Sequence, residues 1–302
     1  MNKIITKWNR ATILIIMDIT NTSPTFIFVD ASYFIFHRYY ALRSWLKIGS
    51  SIEEQEELSN NPILSAKFVE TYTRSFIDKF RSIPTNLDIA DNVTPIMIVG
   101  KDCPRSEIWR TGLFPSYKNN RPNKSNIKPF FQLTYDNELF IKGGAKAILQ
   151  HPHLEADDCI AISVKHLLKT YPKCSINIIT ADKDYLQLVC PRVVIYDLKF
   201  NKLTEQKSSL GSPECDLFCK IVAGDISDNI MPIFPKCGPK TALKYFENRE
   251  LFEKKLQESD EYRDKYLFNT TLIDFNRIPE LLVEEFMTTP VEYISDVYEM
   301  VQ

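Results

Sequence analysis

Residues 176–184, INIITADKD, join a short β-branched run to a turn that carries two aspartates. A short apolar run bounded by turn residues is typical of a buried strand in a parallel sheet. Residues 26–29, 96–99 and 193–196 have the same strand character. The segments between these runs show helical periodicity. The sequence therefore predicts βαβ units and an α/β fold, with a mostly parallel central sheet flanked by helices.

Acidic residues recur where these predicted strands end or where a helix begins. Seven such residues occupy four places in the chain: Asp30, Asp102, Glu155, Asp157, Asp158, Asp182 and Asp184. Because the carboxyl ends of parallel strands meet at one crevice, we expect these side chains to lie close together. So many like charges require cations nearby. Carboxylate oxygens favour Mg²⁺ or Mn²⁺, so the sequence predicts a divalent-metal site suited to phosphoryl chemistry.

Each acid alone has a simpler explanation. A single aspartate after a strand is more often a turn former or a helix cap than a ligand. Residues 155–158 also suit the acidic first turn of a helix. In a regular helix Asp157 would point away from the face shared by Glu155 and Asp158, so all three reach one crevice only if the helix begins within this segment. The repetition at four termini favours a shared metal site.

Composition excludes several classes of protein. The chain has 302 residues, of which 44% are hydrophobic and 25% charged, as in ordinary globular domains. The net charge of -2 does not exclude nucleic acid, because local charge distribution matters more than the sum. Seven cysteines without zinc spacing favour buried thiols in a reducing compartment. With no run of about 18 apolar residues and no signal peptide, we expect an intracellular protein in the cytoplasm, the nucleus or a viral replication site, without a membrane partner.

A basic segment spans residues 108–135 and contains no acidic residue. Its basic and aromatic side chains are Arg110, Lys118, Arg121, Lys124, Lys128, Tyr117, Phe130 and Phe131. Such a mixture suits a single-stranded nucleic acid, through phosphate contacts and base stacking. A solvated loop rich in proline and asparagine is the alternative. The metal cluster elsewhere in the chain favours nucleic acid.

A second pattern combines GDISDNI at residues 224–230 with GPKTA at residues 238–242. Gly238 and Pro239 place a turn before a helix, whose free backbone N–H groups are suited to bind a phosphate. Lys240 would add a direct charge. A helix start of this kind is common by itself, but Asp225 and Asp228 ahead of it make the combined pattern specific.

Together these motifs resemble the 5′ nucleases: the flap endonucleases, the N-terminal nuclease domain of bacterial DNA polymerase I, and the phage 5′–3′ exonucleases. Residues 28–42, FVDASYFIFHRYYAL, are similar to the opening strand and helix of the bacterial and phage branch. Residues 100–121 are similar to its second metal-ligand segment. EADD at 155–158 and TADKDYLQLV at 180–189 match its central acidic motifs. The resemblance covers about residues 26–246.

The resemblance implies a PIN-like sheet with a helical arch at about residues 108–135 and a helix–three-turn–helix element that grips duplex DNA. We predict three regions: an N-terminal extension at 1–24, a metal-dependent nuclease core at 25–205 that includes the arch, and a region at 206–302 that contains the helix–three-turn–helix element and a C-terminal helical part. Residues 250–302 receive no role from the resemblance.

The resemblance also implies two Mg²⁺ sites, in which Mn²⁺ can substitute. Asp30, Asp102, Glu155 and Asp157 would surround the first ion, and Asp182, Asp184 and Asp225 the second, with Asp158 and Asp228 beside it. Lys118 occupies the position of the family's catalytic lysine. Arg121 would help to hold the scissile phosphate.

The expected DNA contacts come from eight residues: Arg38, Arg110, Lys124, Lys128, Lys220, Gly238, Lys240 and Thr241. His37 stands where the bacterial branch usually has arginine, so either His37 or Arg38 meets phosphate. The hairpin at residues 230–238 lacks a glycine of the usual pattern, which argues against a K⁺ site formed by its carbonyl groups. No sliding-clamp peptide is recognisable near the C-terminus, and we expect a monomer.

The predicted function is a structure-specific 5′–3′ exonuclease or flap endonuclease that cuts DNA near single-strand/duplex junctions. Its role would be in replication or repair, including the removal of RNA primers. A PIN-type ribonuclease would not need a duplex-gripping element. A non-catalytic DNA-junction binder should have lost carboxylates, and a small-molecule phosphatase would have no use for the basic segment.

Overall fold

The computed structural model describes residues 23–48, 62–90, 92–121, 125–207 and 209–288. Most of the predicted N-terminal extension lies outside these residues, as do Lys124 and residues 289–302. Within the described part of the chain, no helix is both long enough and apolar enough to span a membrane. All seven cysteines are free thiols.

In the part of the chain that the structure describes, five parallel strands form one central sheet in the order β3-β2-β1-β4-β5. The strands are β1 (Thr25–Asp30), β2 (Ile96–Gly100), β3 (Ala147–Leu149), β4 (Ser175–Ile179) and β5 (Val193–Tyr196). The prediction of four strands and a parallel sheet is confirmed. The edge strand β3 escapes prediction because three residues are too few to show a hydrophobic pattern.

The described residues also form eleven α-helices. They are α1 (Ala31–Lys47), α2 (Ala66–Arg81), α3 (Trp109–Leu113), α4 (Lys128–Asp136), α5 (Leu139–Lys142), α6 (Ala156–Thr170), α7 (Pro213–Ala223), α8 (Pro239–Glu247), α9 (Arg249–Leu256), α10 (Asp260–Ile273) and α11 (Glu280–Thr288). The spacing of four at Leu64, Phe68, Tyr72 and Phe76 predicts a helix from about residue 63. Instead α2 begins after Ser65, whose side chain accepts the Phe68 N–H at 3.3 Å.

Both faces of the sheet are buried, because β1 alternates its side chains between two hydrophobic layers. Phe26 and Phe28 face the layer that contains α6. Ile27 and Val29 face the opposite layer, which is formed by α1, α2 and α4. With β1 in the middle of the sheet and buried on both sides, the position of its carboxyl end is fixed by the core.

Helix α2 fixes α1 against the sheet through a stripe of aromatic side chains. Its fully buried residues are Phe68, Tyr72, Phe76 and Phe80. The ring centroid of Phe34 in α1 lies 4.8 Å from that of Phe76, in an edge-to-face arrangement. Burying each such ring stabilises the fold by roughly 1.5–3 kcal/mol. This packing holds α1 directly behind the end of β1.

The third hydrophobic cluster joins α7, α8, α9 and α10 to Ile108 and Tyr117 of the basic segment. Helices α7 and α8 flank the segment that begins at Gly224, which contains a short 3-10 helix at Ile226–Asp228. That these elements form the predicted helix–three-turn–helix grip on duplex DNA stays a prediction. Gly224 has φ +71°, and a Cβ there would lie 2.4 Å from the Ile230 carbonyl oxygen. Only glycine fits this close approach. The predicted boundaries of the three regions stay a prediction.

Candidate metal and nucleic-acid site

Carboxylates from three neighbouring strands meet at the carboxyl edge of the sheet. Asp30 ends β1, Asp102 follows β2 and Asp182 follows β4. The sheet order is β2-β1-β4 at this point, and the strand order reverses between β1 and β4. Such a reversal opens a crevice at the carboxyl ends of the strands. The fold therefore brings the predicted strand-exit acids to one edge.

Backbone and hydroxyl donors hold these carboxylates in fixed directions. One oxygen of Asp30 accepts the Tyr33 N–H at 3.0 Å, and the other accepts the Thr180 hydroxyl at 3.2 Å. One oxygen of Asp102 accepts the Ala156 N–H at 2.9 Å, at the start of α6. Asp30 caps α1, and Asp102 accepts a free N–H at the start of α6, so the acids that line the crevice also help to fix the two helices beside it.

A first acidic cluster forms at the N-terminus of α6. One oxygen from each of Glu155, Asp157 and Asp158 lies within 4.8 Å of the others. The helix begins at Ala156, and Glu155 is its N-cap in a capping box with Asp158. The helix thus starts within the acidic segment, which is the condition under which all three carboxylates can share one crevice.

Burial and mutual repulsion act strongly on this part of the site. Burial, followed by the charge of Asp102, raises the pKa of Asp30 from 3.8 to about 7. Burial and the charges of Asp158 and Glu155 raise the pKa of Asp157 well above its ordinary value. Carboxylates in this state either take up protons or require a nearby cation. The donor set consists of carboxylate oxygens, which fit a hard divalent cation.

Arg110 lies inside the first cluster, and its predicted contact with DNA stays a prediction. The residue is 2% exposed. Its guanidinium donates to both oxygens of Asp158 at 2.7 and 2.8 Å and to Glu155 at 3.0 Å. The guanidinium is buried together with these acids because buried carboxylates require a charged or hydrogen-bonding partner. Asp158 also accepts from the Trp109 indole at 3.0 Å, so its oxygens are engaged by the protein.

Lys118 and Tyr117 connect the two acidic clusters. The Lys118 ammonium contacts Glu155 and lies 3.7 Å from an oxygen of Asp228. The Tyr117 hydroxyl lies 3.1 Å from Glu155 and 3.2 Å from Asp228. Burial alone lowers the pKa of Lys118, but Glu155 and Asp228 outweigh it and raise that pKa. Lys118 is therefore a buried, charged ammonium at the centre of the site.

The second cluster contains Asp184, Asp225 and Asp228, whose nearest oxygens lie within 4.8 Å of one another. Asp182 accepts the Asp184 N–H at 2.9 Å. The Lys220 ammonium contacts Asp184 and lies 2.8 Å from Asp225. Burial alone would raise the pKa of Asp225, but Lys220 outweighs burial and lowers that pKa to about 2. The sequence predicts a duplex contact for Lys220, whereas the structure pairs it with two carboxylates.

The basic segment does not present all of its aromatic side chains. Tyr117 and Phe130 are 3% and 0% exposed and belong to the core, so their predicted role in base stacking is wrong. Phe131 is half-buried and packs edge-to-face on Phe36. The segment contains α3 and α4 with turns between them. The predicted helical arch stays a prediction, and Lys124 lies outside the described residues.

A groove of about 1330 Å³ extends from Asp102 along the basic segment. Its basic and aromatic lining includes Lys101, Arg105, Arg121, Lys128, Phe36, Phe131 and His151. Arg121 also contacts Asp228. The sequence patterns miss Lys101 and Arg105. Their position directly after β2, beside an acid already assigned to the site, was the signal that could have found them.

The two candidates on α1 differ in where they lie. His37 lines a shallow surface pocket together with Tyr33, Phe36 and Tyr40. Arg38 is partly buried as His37 is, and each side chain has a nitrogen without a hydrogen-bond partner among the described residues, Nδ1 of His37 and Nε of Arg38. Burial lowers the pKa of both side chains. Which of the two meets phosphate stays a prediction.

The start of α8 is exposed as the GPKTA pattern predicts. Gly238 is the N-cap, Pro239 is the first helical residue, and Lys240 is exposed. Thr241 and Ala242 both donate their N–H to the Gly238 carbonyl at 3.0 Å. Two further exposed lysines, Lys236 and Lys244, lie before and within α8. They extend the positive charge beyond what the pattern indicates.

The chain belongs to the family of 5′–3′ exonucleases with an N-terminal resolvase-like domain. The model of this family matches residues 25–211, which is more than half of the chain. That range begins with β1 and ends just before α7, so it contains the whole sheet and the first acidic cluster. The expected family and the PIN-like fold are confirmed.

Two curated relatives share part of this chain. A 5′–3′ exonuclease of Buchnera aphidicola is 36% identical over 145 residues, which are 45% of this chain and 47% of that protein. DNA polymerase I of Treponema pallidum is 32% identical over 138 residues, which are 43% of this chain and 13% of that protein. The matched stretches thus span less than half the length of either relative.

A solved structure supports the fold over most of the chain. It is a complex of the D15 flap endonuclease of bacteriophage T5 with DNA and metal ions. The TM-score is 0.59 at 15% identity, over 87% of this chain and 96% of that chain. At this level of identity the likeness shows the fold, which here extends past the sheet into the C-terminal helices.

Proposed function

We propose that this protein is a structure-specific, metal-dependent 5′ nuclease, a 5′–3′ exonuclease and flap endonuclease that hydrolyses phosphodiester bonds near single-strand/duplex junctions in DNA. The observation that carries the proposal is the convergence of two carboxylate clusters with Lys118 between them, in a chain of the 5′–3′ exonuclease family. RNA primers annealed to DNA are included among its substrates, in replication or repair.

Two Mg²⁺ ions, replaceable by Mn²⁺, are the proposed cofactors. The residues that would hold them are Asp30, Asp102, Glu155 and Asp157 at the first site, and Asp182, Asp184 and Asp225 at the second, with Asp158 and Asp228 beside them. The spacing of the carboxylate oxygens supports placing Glu155 with Asp157 at the first site and Asp184 with Asp225 at the second. When bound, such ions activate the attacking water and stabilise the departing oxygen.

Lys118 and Arg121 are the proposed catalytic cations. Lys118 lies between the clusters, where its ammonium would offset charge that develops on the phosphoryl oxygens. Arg121 stands at the mouth of the groove, partly exposed, where it would hold the scissile phosphate. Glu155 and Asp228 keep both cations charged and directed into the site.

The basic groove is the proposed path of the single-stranded arm. Lys101, Arg105 and Lys128 would contact its phosphates, and Phe131 offers a partly exposed ring. The duplex arm would lie against the start of α8, where Gly238 and Lys240 would offer N–H groups, Lys240 its charge and Thr241 its hydroxyl. Such contacts read no base, so cutting depends on structure rather than sequence.

The proposal also covers the oligomeric state, the location and the regions of the protein. The protein would act as a monomer, inside a cell, with regions at 1–24, 25–205 and 206–302. Seven free thiols support a reducing compartment. Arg38 and Lys220 stay candidates for DNA contact, and Lys220 would first have to leave Asp184 and Asp225.

The proposal is tested with a panel of 5′-end-labelled substrates in Mg²⁺ and in EDTA. A DNA duplex with a 5′ flap is compared with the same strands arranged as a 3′ flap, with blunt duplex, and with single-stranded RNA. The expected result is cutting of the 5′ flap near its junction, in Mg²⁺ only. An RNA primer on DNA should release short 5′ products.

Two outcomes contradict the proposal. Cutting confined to single-stranded RNA would identify a PIN-type ribonuclease instead. Tight binding of the 5′ flap without cutting in either Mg²⁺ or Mn²⁺ would identify a junction-binding protein that lacks activity.

A further inference from the structure

The end of α10 is tied to three elements that carry or support the carboxylates. In each case a side chain donates to a backbone carbonyl oxygen near this helix end: Arg110 to Leu272 at 2.8 Å, Gln187 to Ile273 at 3.1 Å, and Lys165 to Phe275 at 2.8 Å. The donors belong to α3, to the turn that contains Asp184, and to α6. Residues 272–275, within the region that receives no role from the resemblance, thus contact more than one element of the site.

Arg110 is the donor that reaches the carboxylates directly. Its Nε binds the Leu272 carbonyl, while its two terminal nitrogens bind Asp158 and Glu155. Every one of these contacts lies at 3.0 Å or less, and the group is 2% exposed. One rigid guanidinium plane therefore joins the end of α10 to the first turn of α6.

The bond to Glu155 fixes a flexible side chain. Glutamate has three side-chain torsions, and holding it in one rotamer costs entropy that a neighbouring donor can offset. Glu155 has one oxygen against Arg110 and Tyr117 and the other against Lys118. Asp158 anchors Arg110 through two parallel bonds, so the guanidinium itself cannot rotate. Outer-shell groups of this kind orient metal ligands.

We propose that Arg110 is a positioning residue that sets the carboxylate of Glu155 for a divalent metal ion and ties its geometry to the end of α10. This inference rests on the proposed function, which assigns Glu155 as a metal ligand. It gives the C-terminal helical region a role in the metal site besides any contact with DNA.

Positioning and simple charge neutralisation predict opposite changes in metal affinity. If Arg110 only neutralised charge, its removal would leave a more negative cluster that binds a divalent cation more tightly. If it orients Glu155, its removal leaves a ligand with a wrong or variable direction, and the metal binds more weakly. The sign of the change therefore decides between the two roles.

The test is calorimetric titration of the metal-free protein with Mn²⁺ alone, for wild type, Arg110→Gln and Arg110→Lys. Lysine keeps the charge but cannot make the forked contacts. We expect both variants to bind Mn²⁺ at the first site about 10-fold to 100-fold more weakly than wild type. Circular dichroism checks that each variant is folded. If Arg110→Gln is not folded, the Mn²⁺ affinity of Arg110→Lys alone decides between the two roles.

Arg192→Gln is the matched control. Arg192 also donates to backbone carbonyls, those of Leu168 and Tyr171, but it does so at the opposite end of α6 from the carboxylates. Its loss should lower thermal stability and leave Mn²⁺ affinity unchanged. Affinity that falls equally in this control would make the Arg110 effect a consequence of general destabilisation.

The failures of the two proposals are distinguishable. Wild type that binds no Mn²⁺ and cuts no flap would overturn the proposed function and this inference together. Wild type that binds Mn²⁺ and cuts, beside Arg110 variants with unchanged or tighter Mn²⁺ binding, would overturn the positioning role alone.

Discussion

Several acidic residues of the site act as helix caps and as candidate ligands at the same time. Asp102 accepts the Ala156 N–H through one oxygen, and Asp30 accepts the Tyr33 N–H through one of its own. The capping bond fixes the carboxylate direction without using all of its acceptor capacity, because an ionised carboxylate can accept several bonds. The same carboxylate can thus cap a helix and bind a metal ion, and the capping bond fixes the direction in which the carboxylate would meet the ion.

At this scale the sequence predicts the acids better than the cations. Asp157 and Asp184 follow from their places at strand ends and helix starts. Arg110 does not, since its neighbours in sequence are an exposed-looking basic segment, and its burial depends on α6 and α10, which are remote in the chain. Whether a cation faces solvent or a buried carboxylate is decided by tertiary packing.

Lys118→Ala should lower the single-turnover rate of flap cleavage roughly 100- to 1000-fold, as the loss of one charge-stabilising donor does in other active sites. Its effect on flap affinity should be small, because the ammonium is buried between Glu155 and Asp228. Rapid-quench kinetics and fluorescence anisotropy measure the two quantities. Lys142→Ala, an exposed lysine at the end of α5, is the control. Equal losses of rate and affinity would make Lys118 a binding contact instead.

The ends of the strands and helices position the residues of the site. The sheet places β1, β2 and β4 side by side, and α6 begins where the first cluster requires it. Gly100 permits this approach, because a Cβ there would lie 2.7 Å from a side-chain carbon of Ile160. The sequence predicts the starts of α6 and α8 well, since caps and turn residues are local signals. It predicts the basic segment poorly, because composition does not reveal which aromatic rings join the core.

Lys240→Ala should weaken binding to duplex DNA and reduce the salt dependence of that binding together. Loss of one phosphate contact lowers the slope of log K against log salt by about 1. Titrations at several salt concentrations measure the slope, in EDTA so that no cutting occurs. Lys254→Ala, an exposed lysine on α9, is the control. A slope that Lys240→Ala leaves unchanged would exclude a phosphate contact at α8.

At the scale of the whole molecule, the fold buries carboxylates at the sheet edge whose negative charge the neighbouring lysine and arginine side chains do not fully neutralise. The sequence predicts the sheet and the convergence of carboxylates, because both follow from repeated local patterns. It does not predict β3, or the links from α10 to the site, since those depend on long-range contacts. The carboxylate edge is thus built on a stable core but is itself electrostatically strained, as the raised pKa values of Asp30 and Asp157 indicate.

Asp30 should make the metal-free protein less stable as pH rises from about 4 to about 7. The pKa of Asp30 is about 7 in the fold against an ordinary 3.8, so the folded state holds this proton more tightly and loses that advantage as pH rises. Mg²⁺ should reverse the effect at neutral pH. Asp225 has the opposite sign, but its pKa of about 2 places its effect at lower pH. His37, His151 and His166 also have the opposite sign, because burial lowers their pKa from 6.5, and they act in the same pH range. The Asp30 contribution is therefore measured by comparing melting curves in EDTA with those of a variant that lacks this group.

Asp30→Asn provides the check on this assignment. It removes the titrating group while keeping a similar shape, so between about pH 4 and about pH 7 its melting temperature in EDTA should gain on that of wild type as pH rises. A difference between the two melting temperatures that does not change with pH would contradict the assignment.

The central claim is that the carboxylates hold the ions that drive cleavage, and Asp157→Asn tests it most directly. Cleavage and binding of one 5′-flap substrate are measured on the same protein preparations, with Asp264→Asn on the exposed face of α10 as control. The account predicts that Asp157→Asn binds the flap as wild type does and does not cut it in Mg²⁺. Near-normal turnover by Asp157→Asn would remove this residue from the site and contradict the account.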